Sequence, residues 1–335
     1  MALAGAGMIS MIHAIAARAA GLPILAVASR TEARAAERAE QIGCPAVAYA
    51  DLPAGADVVV VATPPALHTE QTIAALAAGA SVLVEKPLAT TLAEADAIVE
   101  AAADAAGHVI YAENQAFAPV VSRALGLIAE LGPLEYLEVR ALSPRPTWGD
   151  FLSPTWGGGC LFDLGAHPIA LALLMAGDDP AVSVTARLER SPDIEVDDLA
   201  VVELQFASGL RARLEVSWRD TSTTWDLQAS SDIGVVRAEL LPTVGLERDG
   251  EPVGVTRAPS EVDQFVHDLG YIEQLREVRR VVTGRAPSTS TPIDASFGRH
   301  VLEIICAAYA SAGADAPVDL PFTGSRALTP HELAQ

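Results

Sequence analysis

The chain has 335 residues, half of them hydrophobic, which is enough apolar material to bury two ordinary cores. Its 22 basic residues face 43 acidic ones for a net charge of −21, so it lacks the positive footprint that a nucleic-acid backbone requires. Cys44, Cys160 and Cys306 are isolated, no histidines show zinc-binding spacing, and no apolar run reaches the roughly twenty residues of a membrane span. The expectation is a reduced, cytoplasmic protein with no metal site, no membrane contact and no nucleic-acid partner.

Ala2-Leu3-Ala4 reads as the tail of an apolar strand, short against the usual ~5 residues, which leaves open a start upstream of Met1. Gly5-Ala6-Gly7-Met8-Ile9-Ser10 follows as G-x-G-x-x-S. Its glycines permit a tight turn and let the backbone approach a pyrophosphate. The alanine-rich segment 11–20 can then offer its first N–H groups to that anion. Ser10 stands where a third glycine would, small but less permissive. Apolar, often β-branched runs at 24–28, 57–62 and 81–84 alternate with helix-like segments at 31–42, 69–78 and 91–106. That alternation predicts a parallel sheet covered on both faces, a dinucleotide-binding fold. A secretory leader is the rival reading of residues 1–17. It lacks a basic start, and Gly5 and Gly7 interrupt what should be an apolar run.

The fourth strand ends on Glu85-Lys86-Pro87. Pro119 and Gly132-Pro133 then break the alternation and place a crossover near 115–135, for a division into residues 1–118 and 119–335. Gly157-Gly158-Gly159 precedes Asp163 and His167. A helix through both would carry Pro168 in its second turn. A start nearer Gly165 moves that proline to the tolerated first turn, so the pair straddles the helix start. From Ala200 the pattern is strict alternation. Ala200, Val202, Leu204 and Phe206 share a face, Ser208-Gly209 turns the chain, and Leu210, Ala212, Leu214, Val216 and Trp218 return. This is a β-hairpin with one buried face. Strand-like segments flank it at 134–142, 182–188, 225–230 and 235–240, and helix-like ones follow at 262–282 and 296–312. The second half is therefore an α+β domain built on a large, mostly antiparallel open sheet.

Several motifs now stand together: the glycine turn, Ala62-Thr63-Pro64-Pro65 with His68, Glu85-Lys86-Pro87, Ala112-Glu113-Asn114, Gly157-Gly158-Gly159 with Asp163 and His167, and Pro317-Val318-Asp319-Leu320-Pro321. With them the chain resembles, nearly end to end, the glucose–fructose oxidoreductase / inositol dehydrogenase / MocA family. The resemblance implies an N-terminal Rossmann domain and a pyridine-nucleotide-dependent oxidoreductase acting on a sugar, cyclitol or related polyol. It maps the catalytic lysine to Lys86, the histidine to His167 and the aspartate to Asp163. It also implies a homodimer or homotetramer formed through the C-terminal sheet.

Singly, Lys86 reads as a solvated strand end, Asp163 as a helix cap and His167 as a core histidine; their co-occurrence outweighs those readings. An imidazole titrates near neutrality and suits proton transfer, while a lysine can stabilise a developing alkoxide; which is the principal acid/base stays open. The expected cofactor contacts are Gly5, Gly7, Met8, Ile9, Ser29, Arg30, Thr63, Pro64, His68, Glu85, Lys86 and Asn114, the last equally a turn-capping residue. After the second strand the chain reads Ala28-Ser29-Arg30-Thr31, with no carboxylate before Glu32 to hold a ribose 2′-hydroxyl. Arg30 suits a 2′-phosphate, so NADP(H) is favoured and NAD(H) remains possible; Arg34 could assist, although a solvated arginine on the following helix is the commoner reading. Trp148 and Trp156 could wall a sugar site, although core packing is the commoner role of an isolated aromatic, and Arg145 could hold a substrate group, although a solvated loop arginine is more common. Two alternatives compete: a non-catalytic nucleotide sensor on the same scaffold, and a reductase of a non-sugar carbonyl of the dihydrodiol type.

Overall fold

The structure, a computed structural model, describes residues 1–52, 55–259, 261–285, 287 and 292–335. The chain divides into two compact units: residues 1–89, 93–117 and 258–299, and residues 90–92, 118–257 and 300–335.

In the first unit, strands alternate with helices: β1 (Ala2–Ala4), α1 (Met8–Ala19), β2 (Ala26–Ala28), α2 (Glu32–Ile42), β3 (Ala46–Val47), β4 (Val58–Val61), α3 (His68–Ala77), β5 (Ser81–Val84), α4 (Leu92–Asp104) and β6 (Val109–Tyr111). The sheet runs β3-β2-β1-β4-β5-β6 with every pairing parallel. Every residue of β4 and β5 is buried, as expected of strands with no polar alternation. The order reverses between β1 and β4, the switch point where such sheets hold ligands at their carboxyl ends. β3 and β6, of two and three residues, extend the four strands read from the sequence.

The second unit opens with α5 (Pro119–Ile128), whose proline occupies the tolerated first turn. There follow β7 (Tyr136–Pro144), α6 (Cys160–Asp163), α7 (Ala166–Ala176), β8 (Ala181–Glu189), β9 (Leu199–Phe206), β10 (Arg211–Ser217), β11 (Arg219–Ser231), β12 (Gly234–Leu241), β13 (Gly245–Arg248) and β14 (Glu251–Pro252). After α8 (Gln264–Asp268) and α9 (Tyr271–Val282), which belong to the first unit, come α10 (Ala295–Ala314), β15 (Val318–Asp319) and α11 (Pro330–Leu333). Nine strands form one sheet, ordered β14-β13-β12-β11-β7-β10-β9-β8-β15, antiparallel except where β7 meets β10. The β9–β10 hairpin pairs Leu204 with Ala212 and Val202 with Leu214, all buried, as period-two patterning requires.

The segment expected as one helix over 262–282 in the second domain departs from that reading. It breaks at Leu269-Gly270, where Gly270 has a φ of 85°, and both pieces pack in the first unit. There Val266, Ile272, Leu275 and Val278 join Leu3, Val27, Val60 and Leu83 in one buried cluster. Among the described residues no single helix is long and apolar enough to cross a membrane.

Candidate active site

The strand ends of the first unit form a row. Gly5 N–H donates to Ala28 O, Ala62 N–H to Ala4 O, Glu85 N–H to Val61 O and Ala112 N–H to Val84 O. Ser29, the glycine turn, Thr63, Lys86 and Asn114 thus follow one another along the carboxyl edge of the sheet. The turn itself is forced. Gly5 has a φ of +121°, and a Cβ there would lie 2.3 Å from Ala62 O, so no side chain fits. At Gly7 a Cβ would meet nothing within 4 Å, which leaves open space in front of the first N–H groups of α1. No side chain caps that helix and no acidic residue lies in its first turn. A buried Ser10 hydroxyl donates to Gly7 O at 2.6 Å, and Arg38 Nη2 donates to the same oxygen at 3.0 Å. With its carbonyl held, this peptide leaves the N–H groups beyond it to an anion. A pyrophosphate fits here.

The remaining contacts divide. Met8 and Arg30 are exposed, Pro64 is exposed, and Ile9, Ser29 and Lys86 are half-buried. His68 and Glu85, both expected as cofactor contacts, are buried and bonded internally. The His68 ring nitrogens lie 2.9 Å from Pro87 O and from Thr63 O, and burial holds its pKa below the ordinary imidazole value. Glu85 Oε1 lies 2.8 Å from His13 Nε2, and Oε2 accepts the Lys86 backbone N–H at 3.1 Å. Burial pushes the Glu85 carboxyl up, but the hydrogen bond and charge of His13, with the charge of Lys86, outweigh it and leave it below the usual value. These two residues brace the loops that carry Thr63 and Lys86. Asn114 is also buried, and its amide donates to Leu269 O at 2.7 Å; it ties the end of β6 to the turn between α8 and α9.

In the second unit Asp163 ends α6 and His167 is the second residue of α7. Pro168 therefore falls in the first turn of α7, as its geometry requires. Both residues are 4% exposed. The His167 ring lies 5.7 Å from that of Trp225, whose placement follows a register shift in β11 between Trp225 and Asp226. Sequence reasoning saw Trp225 only as the start of a strand; a bulge that re-aims a side chain leaves no mark in the pattern. Trp148 is half exposed, and Trp156 packs edge-on against Phe151 at 4.6 Å. Arg145 is engaged by Asp193 at 2.5 Å and Asp198 at 3.4 Å, which occupies the fork expected to hold a substrate group. Among the described residues no group of three or more His, Cys, Asp or Glu side chains could hold a metal ion.

Two family profiles match the chain: "Oxidoreductase family, NAD-binding Rossmann fold" over residues 1–113 and "GFO/IDH/MocA C-terminal domain" over residues 126–234. A D-xylose 1-dehydrogenase (NADP+) of Haloferax volcanii is 30% identical over 334 residues, covering 95% of this chain and 97% of the relative. A 1,5-anhydro-D-fructose reductase of Ensifer adhaerens is 31% identical over 63% of this chain and 67% of its own. Among solved structures, GenD2 of gentamicin A biosynthesis, in complex with NAD, superposes with a TM-score of 0.83 at 28% identity over 95% of each chain. A levoglucosan dehydrogenase with NADH and L-sorbose has a TM-score of 0.84 at 22% identity over 96% of this chain and 98% of its own, a likeness of fold.

Proposed function

The chain belongs to the Gfo/Idh/MocA oxidoreductase family, and from that membership we propose that it transfers a hydride between NADP(H) and a hydroxyl or keto carbon of a sugar, cyclitol or related polyol. The observation that carries the reading is the row of strand ends, which puts Lys86 on the same sheet edge as the glycine turn. A sensor needs the turn but no proton-handling group beside it.

The bound nicotinamide supplies the hydride acceptor or donor. Lys86 donates to the substrate oxygen and stabilises the charge that grows there. His167 takes the hydroxyl proton as the carbon gives up its hydride, and returns it in reduction. Asp163 orients the imidazole or accepts from a neighbouring sugar hydroxyl. Substrates of this class appear in the names of the xylose dehydrogenase and anhydrofructose reductase relatives. Arg30, before the Thr31 cap of α2, favours a 2′-phosphate, with Arg34 in the first turn of that helix in support. We place residues 119–335, apart from the returning segment 258–299, in substrate binding and in assembly of a homodimer or homotetramer through the nine-stranded sheet. Sedimentation equilibrium tests that assembly. A cytoplasmic location is proposed from the isolated spacing of Cys44, Cys160 and Cys306 in the sequence.

Lys86→Ala decides the catalytic reading. Cofactor affinity should stay within a few-fold while turnover falls by on the order of 10² to 10⁴. Near-full activity would reduce Glu85-Lys86-Pro87 to a structural turn.

A further inference from the structure

The triple glycine and the short helix after it converge on one buried carboxylate that the mechanism above does not use. Asp197 lies just before β9, and it receives the N–H groups of three consecutive residues. Gly159 donates to Oδ1 at 3.2 Å, Cys160 to the Asp197 backbone oxygen at 2.9 Å, and Leu161 to Oδ2 at 2.9 Å. The Cys160 thiol adds a fourth donor to Oδ2 at 3.3 Å. From α10 the Tyr309 hydroxyl donates to Oδ1 at 2.5 Å and accepts from Gly159 N at 3.0 Å.

These are the first donors of α6, which no neighbouring side chain caps. Asp197 therefore caps the helix from 36 residues away, and Tyr309, fully buried, fixes the orientation of the cap. The glycines answer to this arrangement. A Cβ on Gly159 would lie 2.2 Å from Asp197 O, and one on Gly158 would lie 2.8 Å from Tyr309 Oη and 2.6 Å from Phe162 Cβ. Burial pushes the Asp197 carboxyl up, and the bonds from Leu161, Tyr309 and Cys160 only partly offset it, so the pair depends on keeping every donor in place. Beyond the cap the chain is short: α6 ends on Asp163, and α7 begins three residues later with His167 in its first turn.

We propose that Asp197 and Tyr309 are positioning residues, a buried carboxylate–phenol anchor that sets where Asp163 and His167 stand. The anchor touches neither substrate nor cofactor; it acts through the helix start it holds. The proposal rests on the catalytic reading of His167 and Asp163.

The test uses Tyr309→Phe, which removes one hydroxyl and keeps the ring, beside Asp197→Asn and His167→Ala. Hydrogen exchange of a peptide spanning 157–167 should quicken in Tyr309→Phe at least tenfold relative to peptides from the first unit. The second readout is steady-state kinetics with NADP+ and whichever of D-xylose, L-sorbitol and myo-inositol the wild type turns over fastest. Tyr309→Phe should lose about tenfold in kcat and Asp197→Asn about a hundredfold, the scale of a misplaced group, with KM for NADP+ within twofold. In a His167→Ala background the Tyr309→Phe loss should shrink to under twofold, because the group it positions is gone. Unchanged exchange in 157–167 overturns the anchor. Faster exchange with unchanged kcat, or a loss that persists undiminished in the His167→Ala background, overturns its positioning role. A His167→Ala variant that is itself fully active sinks the catalytic reading instead, and leaves the exchange result to judge the anchor.

Discussion

At the residue scale, cofactor choice turns on a few side chains at the end of β2. A carboxylate there would accept from the ribose 2′-hydroxyl and repel a 2′-phosphate. Here Ser29 is half-buried, Arg30 is exposed, and Glu32 is carried onward as the first residue of α2. Arg38 adds to the positive face: its fork reaches Gly7 O and Gln41, although the chain around it is strongly acidic. Local geometry outweighs net charge, since a screened field of many distant carboxylates competes poorly with a bidentate fork at contact. NADPH should therefore exceed NADH in kcat/KM by about tenfold, and Arg30→Ala should erase most of that margin. Equal efficiencies in the wild type would count against the arginine. The end of β2 just before Ser29 and Arg30 was legible because the motif fixes where the second strand must end. Arg38 was not, because its contact depends on how α2 lies against the turn.

At the element scale, the hairpin and parallel strands were legible because each pattern has one period and one face. The site elements were legible only in part. Pro168 gave away where α7 starts, but nothing local announces that Asp197 caps α6 or that Tyr309, 112 residues beyond Asp197, holds the cap. The same holds for the junction of α1 with β5. His13 sits on the buried face of α1, and its ring meets Tyr271 edge-on at 5.8 Å while it bonds Glu85. That bond predicts a pH dependence. The folded-state pKa of Glu85 lies below the ordinary 4.5, so the unfolded chain binds this proton more tightly. Stability from the pair is complete at neutral pH and is lost as pH falls below 4.5 and through the lower folded-state value. Glu85→Gln should lower the urea midpoint at pH 7 and narrow its gap to the wild type as pH approaches 3. A gap that stayed constant with pH would show that the carboxylate charge contributes nothing there.

At the scale of the whole molecule, the chain is not two beads in succession. An amphipathic helix declares that it has an apolar face and is silent about which sheet will receive it, so residues 258–299 could not be assigned from pattern alone. The structure returns them to the first unit, where Val266, Ile272, Leu275 and Val278 are at most 2% exposed in the cluster built on α1 and β1. Burying four aliphatic side chains is worth ~6–12 kcal/mol at ~1.5–3 kcal/mol each. Net domain stability is ~5–15 kcal/mol, so their removal consumes most or all of it. The buried face uncovered includes α1, whose first N–H groups are those proposed to hold the pyrophosphate. A fragment of residues 1–118, complete by the contiguous division, should therefore show no cooperative urea transition and no NADPH-dependent gain in melting temperature. Joining residues 258–299 to it through a flexible linker should restore both. A fragment 1–118 that melted cooperatively and bound NADPH unaided would show that the returning helices cover a core already sufficient without them.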